Sequence, residues 1–218
     1  MSLDLSNTAT NAVLAAFVPA NHLLGIVQGI VASRNDTLVV LPGKGEIVIF
    51  PGRNEYRSKV QDLAGFCRAP AAHFQVTVIS EAAMTDSHAP ARSIKDLLWM
   101  AAFHASPGLL LEGCSKYDVV QFRHWPNLTR LPATQNAARV CALLTRHPTT
   151  IMLVHHILDI EKKEVHQIYS AAYSAGIAHR ISSDPVSGSI DAFAAEVRPE
   201  PVQARGLFRS LFAKLAGL

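Results

Sequence analysis

Three helical stretches follow one another closely between residues 135 and 175, and they constrain the fold more than any other feature of the sequence. They run over 135–146, 151–158 and 162–175. His147-Pro148 separates the first two, because proline disfavours helix at the residue that precedes it. Thr150 can cap the second helix, and Gly176 suits the position after the third. The pattern predicts three short helices packed together.

The turn between the second and third of these helices is the most specific motif. Residues 158–165 read LDIEKKEV. Leu158 ends the second helix in the core, Ile160 fills the turn, and Val165 begins an apolar stripe at helical spacing. The stripe continues along the third helix through Ile168, Tyr169 and Ala172. These residues predict a helix-turn-helix unit.

The motif resembles the turn of the winged-helix and helix-turn-helix superfamily, usually written L-G-I-S-x-x-x-V. The resemblance covers residues 137–181, about a fifth of the chain. It implies that Ile177 is buried where the chain turns into a wing strand. Two positions depart from the pattern: Asp159 replaces the glycine, although aspartate tolerates a left-handed conformation, and His155 replaces a small residue. The alternative is an ordinary three-helix bundle.

The same resemblance implies a DNA-reading face on the third helix. A reader of this kind places the start of that helix in the major groove. The face would offer Lys162, Lys163, His166, Gln167 and Ser170, helped by Arg139 and Arg146 on the first helix. The third helix lacks arginine, whose bidentate contact with guanine is the commonest specific contact, and Glu161 and Glu164 would oppose phosphate. DNA binding is therefore the alternative, and a protein-interaction module is the preferred interpretation.

The first 80 residues predict a mixed α+β region. Helices are expected over 7–17 and 21–32, the second capped by Asn21. Residues 37–41 and 46–50 are β-rich, and Pro42-Gly43-Lys44-Gly45 between them is typical of a hairpin connection. We expect Ser58 to cap a helix over 59–68, followed by a strand over 74–79. The turn over 42–45 is not a phosphate-binding loop, because it lacks the glycine spacing and the Ser/Thr after lysine that such a loop has.

Residues 80–92 are polar, rich in small side chains and contain a proline, so they mark a boundary. A helix is expected over 94–105, starting after Ser93. A hairpin is expected from two strands over 109–111 and 117–125. The predicted fold class is α+β, with an N-terminal mixed domain (1–80), a linker (81–92), a winged-helix-like domain (93–181) and a second linker (182–204). An amphipathic tail helix (205–218) closes the chain.

The tail reads RGLFRSLFAKLAGL and has an apolar stripe with basic residues away from it. Such a helix can dock in the groove of a partner, fold back onto its own protein, or lie weakly on an anionic membrane surface. A protein partner is the better functional interpretation. The residues expected to contact it are Leu207, Phe208, Leu211, Phe212 and Leu215.

Charge and cysteine content bear on the partner, the redox state and the location of the protein. The formal charge is +3, and residues 91–180 hold 10 basic against 6 acidic side chains, so the basic excess lies near the helix-turn-helix. Three cysteines far apart, Cys67, Cys114 and Cys141, predict reduced thiols, with two or three in the core. No signal-peptide pattern and no run of 18 apolar residues is present, so we expect a cytoplasmic protein.

No residue pattern indicates an enzyme active site, a cofactor or a metal site. The ten histidines lack metal-ligand spacing, although His147, His155, His166 and His179 could meet in space. Trp125 is expected to anchor the core, and Arg123 with Arg130 is a weak candidate anion site. We expect a non-enzymatic regulatory or adaptor protein that acts by protein contact or self-association. An enzyme of unrecognised type is the third interpretation.

Overall fold

The structure is a computed structural model that describes residues 16–79 and 89–182. The helices are α1 (Leu23–Ser33), α2 (Leu63–Arg68), α3 (Ile94–Ala105), α4 (Ala137–Arg146), α5 (Ile151–Leu158) and α6 (Lys162–Ser174). The strands are β1 (Thr37–Leu41), β2 (Gly45–Phe50), β3 (Glu55–Val60), β4 (Gln75–Val78), β5 (Arg92–Ser93), β6 (Val119–Phe122), β7 (Thr149–Thr150) and β8 (Ala178–Ser182). Helices and antiparallel sheets both occur, so the α+β class is confirmed.

The larger sheet has five antiparallel strands in the order β4-β1-β2-β3-β5. The predicted hairpin of β1 and β2 is confirmed, and its turn is closed by a 2.9 Å bond from Lys44 N to Leu41 O. Gly45 is required there, because its φ is +125° and a Cβ would lie 2.4 Å from Lys59 O. Alternate residues on one face are buried, among them Val39, Ile47 and Ile49.

The predicted helix over 59–68 is wrong in its first half. Residues 55–60 form β3, which pairs with all of β2 and brings Ser58 opposite Ile47. The helix begins only at Leu63, after Asp62, whose carboxylate accepts a 2.9 Å bond from Gly65 N. The helical spacing of Val60, Leu63 and Cys67 favoured a helix in the prediction. In the fold, residues 55–60 instead pair with β2 and satisfy the backbone groups that β1 leaves unpaired.

The start of α1 also differs from the prediction. Asn21 is not its N-cap, because Pro19–Asn21 form a 3-10 turn and the helix follows His22. Gly25 lets this turn approach, since a Cβ there would lie 2.7 Å from Pro19 O. Most of the helix predicted over 7–17 lies outside the described residues. Phe17 itself forms a parallel bridge with Leu111.

Helix α3 joins the sheet to the C-terminal helices. It begins as predicted after Ser93, whose hydroxyl accepts a bond from Lys95 N, and it ends at Ala105. Trp99 is fully buried, and its indole Nε1 donates a 2.9 Å bond to Pro132 O. The linker predicted at 81–92 lies partly outside the described residues, but Arg92 pairs with Tyr56, and one buried cluster contains residues from both sides of it.

The hairpin predicted from 109–111 and 117–125 is wrong. Strand β6 is instead the centre of a second, three-stranded sheet, β7-β6-β8, and pairs with strands that lie 27 or more residues later. Leu111 pairs with Phe17. The prediction failed because it considered only neighbouring segments as partners. The two strands that pair with β6 are distant in sequence: β7 precedes α5, and β8 follows α6.

The three C-terminal helices closely match the prediction. Thr150 caps α5 by accepting from Leu153 N, and Gly176 follows α6 with a φ of +71°. Asp159 adopts the expected left-handed conformation, with a φ of +50°. Ile177 is buried before β8, as expected. The tail residues Leu207, Phe208, Leu211, Phe212 and Leu215 lie outside the described residues, as does the rest of the segment after Ser182.

Candidate functional site

The turn between α5 and α6 is fixed by buried apolar side chains and one arginine. Ile160 is 7% exposed and Val165 is 1% exposed, so both face the core as the motif predicts. Arg139 on α4 donates a 2.7 Å bond to Leu158 O, the carbonyl at the end of α5. A guanidinium at this position satisfies a carbonyl that the helix leaves unpaired. Arg139, predicted to help bind DNA, therefore stabilises the turn.

The face of α6 predicted to read DNA is covered by the last turn of α3 and by the segment that follows it. Gln167 Nε2 donates a 2.8 Å bond to Phe103 O, and His166 Nδ1 lies 3.1 Å from Gly108 O. Ser170 is fully buried, and its hydroxyl donates to Leu109 O, so the expectation that it is exposed was wrong. These contacts join residues 58 to 64 positions apart, which a helical pattern cannot reveal.

The covering segment packs very closely on α6. Gly108 has a φ of +85°, and a Cβ there would lie 2.7 Å from Lys163 Cβ. Only glycine fits this close approach without strain. Lys162, Lys163 and Arg146 remain exposed at the surface. Of the seven residues predicted for the DNA-reading face, four therefore make hydrogen bonds to backbone carbonyls within the fold: Arg139, His166, Gln167 and Ser170.

Glu164 links α6 to the start of α4 through hydrogen bonds within the protein. Its carboxylate accepts bonds of 2.8 and 3.0 Å from the backbone N and the side-chain Nδ2 of Asn136. Burial alone would raise the pKa of Glu164, but these hydrogen bonds favour the charged form and leave the pKa below its usual value. The residue is part of the packing between two helices.

A cavity of about 420 Å³ lies between α5, α6 and residues 109–117. Its walls are mostly apolar and include Leu110, Ile151 and Val165. Lys116 and Lys162 also line it, and no acidic side chain does so within the described residues. Its size falls in the range of about 300–1,000 Å³ that small-molecule sites occupy. Sequence reasoning missed this cavity, because its walls come from four separate parts of the chain: Ala16, residues 109–117, α5 and α6.

Two histidines in this cavity are held by backbone carbonyls. His155 bonds through Nδ1 to Ile160 O, and His166 through Nδ1 to Gly108 O. A carbonyl only accepts, so both Nδ1 atoms donate, and in the neutral ring Nε2 is then an acceptor. Burial lowers the pKa of His166, although the bond to Gly108 acts in the opposite direction, so this ring is neutral at pH 7.

Asp118 holds the loop that forms one wall of the cavity. Its side chain is almost completely buried and accepts a 2.8 Å bond from Ser115 N. Arg180 on β8 lies 3.5 Å from the same carboxylate oxygen and donates a 2.8 Å bond to Gly113 O. The loop over 113–118 is thereby tied to the smaller sheet, so its lining residues Ser115, Lys116 and Tyr117 have a fixed position.

The thiols are free and largely buried, as predicted. Cys67 and Cys141 are fully buried, and burial raises the pKa of each to about 12. At neutral pH both are therefore protonated, which is the state of an inert structural thiol. Burial also raises the pKa of Cys114, which lines the cavity. None of the three thiols is activated as a nucleophile.

The structure also places the predicted core tryptophan, the candidate anion site and the histidines that could have held a metal. Trp125 is 49% exposed, so the expectation that it anchors the core was wrong, and Trp99 fills that role. Arg130 lies 3.9 Å from Asp96 and is thus partly neutralised as an anion site. In residues 16–79 and 89–182, no three His, Cys, Asp or Glu side chains are arranged to hold a metal. His147, His155, His166 and His179 do not form such a group.

Strand β4 forms an open edge of the larger sheet. Ile79 N donates to Asp36 O, and Thr37 pairs with Val78, so alternate residues of β4 direct their backbone groups to β1. The N–H and C=O groups of Val76 and Val78 therefore point outward, and no strand in the described part of the chain pairs with them. The side chains of Val76 and Val78 are 48% and 65% exposed.

Comparison with protein-family models, with curated proteins and with solved structures finds no match to this chain. None of the helices in the described ranges is long and apolar enough to cross a bilayer.

Proposed function

We propose that this chain is a non-enzymatic regulatory or adaptor protein that acts through protein–protein contacts, and that its first contact is a second copy of itself across β4. The observation that carries the proposal is the uncharged, open edge of that strand. Native sheet edges are usually protected by charge, proline or a bulge, and β4 (QVTV) has no charge and no proline. Such an edge is suited to continue into another strand.

The edge is complementary to itself. In an antiparallel pair centred on Thr77, Val76 of each copy lies opposite Val78 of the other. The four outward N–H and C=O pairs then form four hydrogen bonds, because each facing residue directs both groups across the interface. All four valines share one face, where cross-strand apolar pairs stabilise a sheet. A twofold pair of this kind closes on itself and leaves neither β4 edge open to a third copy.

Lysines on this edge provide the test. The full chain should sediment at twice its 23.6 kDa mass at micromolar concentration, and the V76K/V78K variant at the monomer mass. The matched control is I157K, which places a lysine at a 40% exposed apolar residue on α5 and should stay dimeric. A wild-type chain that remains monomeric up to hundreds of micromolar would overturn the proposal, and so would an unchanged dimer in V76K/V78K.

The winged-helix assignment remains part of this proposal. It is supported by the left-handed Asp159 turn, by the buried Ile160 and Val165, and by the short strands β7 and β8 that flank the helix pair. The sheet differs from a simple wing in one respect, because β6, its central strand, precedes α4 in the chain. In this proposal the unit serves as a protein-interaction module, with the tail helix as a second contact element.

The alternative is a transcriptional regulator that binds duplex DNA. Lys162 and Lys163 at the start of α6, together with Arg146, are exposed and basic. Fluorescence anisotropy with random duplex DNA at low salt distinguishes the two, since phosphate contacts alone give measurable affinity there. Our proposal predicts no binding. Salt-sensitive binding that the K162A/K163A variant loses would replace it with the DNA interpretation.

A further inference from the structure

We infer that the cavity between α5, α6 and residues 109–117 is a binding site for a small monocarboxylic acid with an apolar body. The inference goes beyond the proposed function and does not depend on it. Ligand sites are concave, mainly apolar and carry a few polar groups that fix orientation. This cavity has that composition and a volume of about 420 Å³.

The apolar walls determine the body of the ligand. Leu109 and Leu110 come from the segment that follows α3, Ile151 and Met152 from α5, and Val165 from α6. No described carboxylate lies among these walls, so an apolar chain meets no desolvated negative charge there. Each methylene group transferred from water to such walls tightens binding about fourfold.

The charged groups determine the head of the ligand. Lys116 and Lys162 both line the cavity, the first on the loop after Cys114 and the second in the first turn of α6. The His166 ring, which also lines the cavity, is neutral. A carboxylate head is attracted to both ammonium groups, whereas a cationic head would be repelled.

The lining histidines add hydrogen-bond acceptors to the cavity, which a ligand hydroxyl group suits but binding of the acid does not require. With Nδ1 committed to a backbone carbonyl, the Nε2 atom of His166 accepts a hydrogen bond and does not donate one. A ligand hydroxyl can supply that bond. The carbonyl of Ile160 fixes His155 in the same tautomer.

Decanoate, with methyl decanoate as its neutral counterpart, is the probe that tests this site. Isothermal titration of the full chain should show one decanoate per chain, with octanoate about fifteenfold weaker because two methylene groups are lost. Methyl decanoate should bind more weakly than decanoate. In the K116M/K162M variant the preference for the acid over the ester should disappear, with decanoate about fivefold weaker.

Lys163→Met is the matched control, because Lys163 follows Lys162 on α6 but does not line the cavity. It should bind decanoate like the wild type. Met152→Trp should fill the cavity and abolish binding of both acid and ester, with circular dichroism and thermal unfolding confirming the fold. The inference is overturned if decanoate does not bind, if K163M weakens it as much as K116M/K162M, or if M152W still binds it in a folded chain.

Discussion

The two open surfaces of this protein differ in the groups that they present. The edge of β4 offers backbone hydrogen-bonding groups and two exposed valines, with no charge. The cavity beside α6 offers mostly apolar walls with two lysines. The first suits an extended strand and the second suits a small acid. Self-association and ligand binding should therefore be separable by mutation.

Trp99→Ala should break both surfaces at once and have the largest effect. The side chain is fully buried on α3, which packs against α1, α2 and α6, and its removal also leaves Pro132 O without its donor. We expect the free energy of unfolding to fall by about 3–5 kcal/mol in chemical denaturation. Trp125→Ala, at a 49% exposed site, is the control and should cost about 0.5 kcal/mol or less. Equal losses for the two would contradict the assignment of the core.

Asp118→Asn should separate the two surfaces. The change removes the charge that holds Arg180 and weakens the bond to Ser115 N, so the loop that forms one wall of the cavity loosens. Breaking this mostly buried pair should cost about 2 kcal/mol, and decanoate affinity should fall while the dimer mass stays unchanged. Asp96→Asn, whose partner Arg130 is 3.9 Å away and largely exposed, should change neither. Loss of the dimer in D118N would show that the surfaces are coupled.

Glu164→Gln should have the smallest effect and spare both surfaces. The pKa of Glu164 in the fold lies below its ordinary 4.5, so the ionised form stabilises the fold above that value, and this stabilisation disappears as the pH falls through the folded pKa. We expect the variant to lose about 1 kcal/mol at pH 7, because one of the two bonds to Asn136 is lost.

Denaturation of the wild type and E164Q across this pH range measures the difference, which should shrink in acid. If the difference in the free energy of unfolding stays constant from pH 7 to pH 3, the ionised carboxylate of Glu164 does not stabilise the fold. Glu161→Gln, at the exposed position before α6, is the control and should show no such pH dependence.

The C-terminal helices show what local sequence can predict. Thr150, Asp159 and Gly176 act on the backbone within a few residues, so the bounds of α5 were predicted to the residue and those of α6 within one. The strand β3 shows where such reasoning fails. Val60, Leu63 and Cys67 fit a helical period, but pairing with β2 over six residues outweighs that local preference. Likewise, β6 was assigned to a local hairpin because its true partners are distant in sequence.

Local sequence was sufficient to predict the α+β class, the β1–β2 hairpin, the three C-terminal helices, the turn at Asp159 and the burial of the thiols. Each depends on short-range backbone preferences or on a simple count of apolar residues. Which face of α6 is free depends on the folded chain, because the covering carbonyls of Phe103, Gly108 and Leu109 lie about 60 residues away. The tertiary structure also created the cavity and the open edge of β4, since both arise from segments that meet only in the fold.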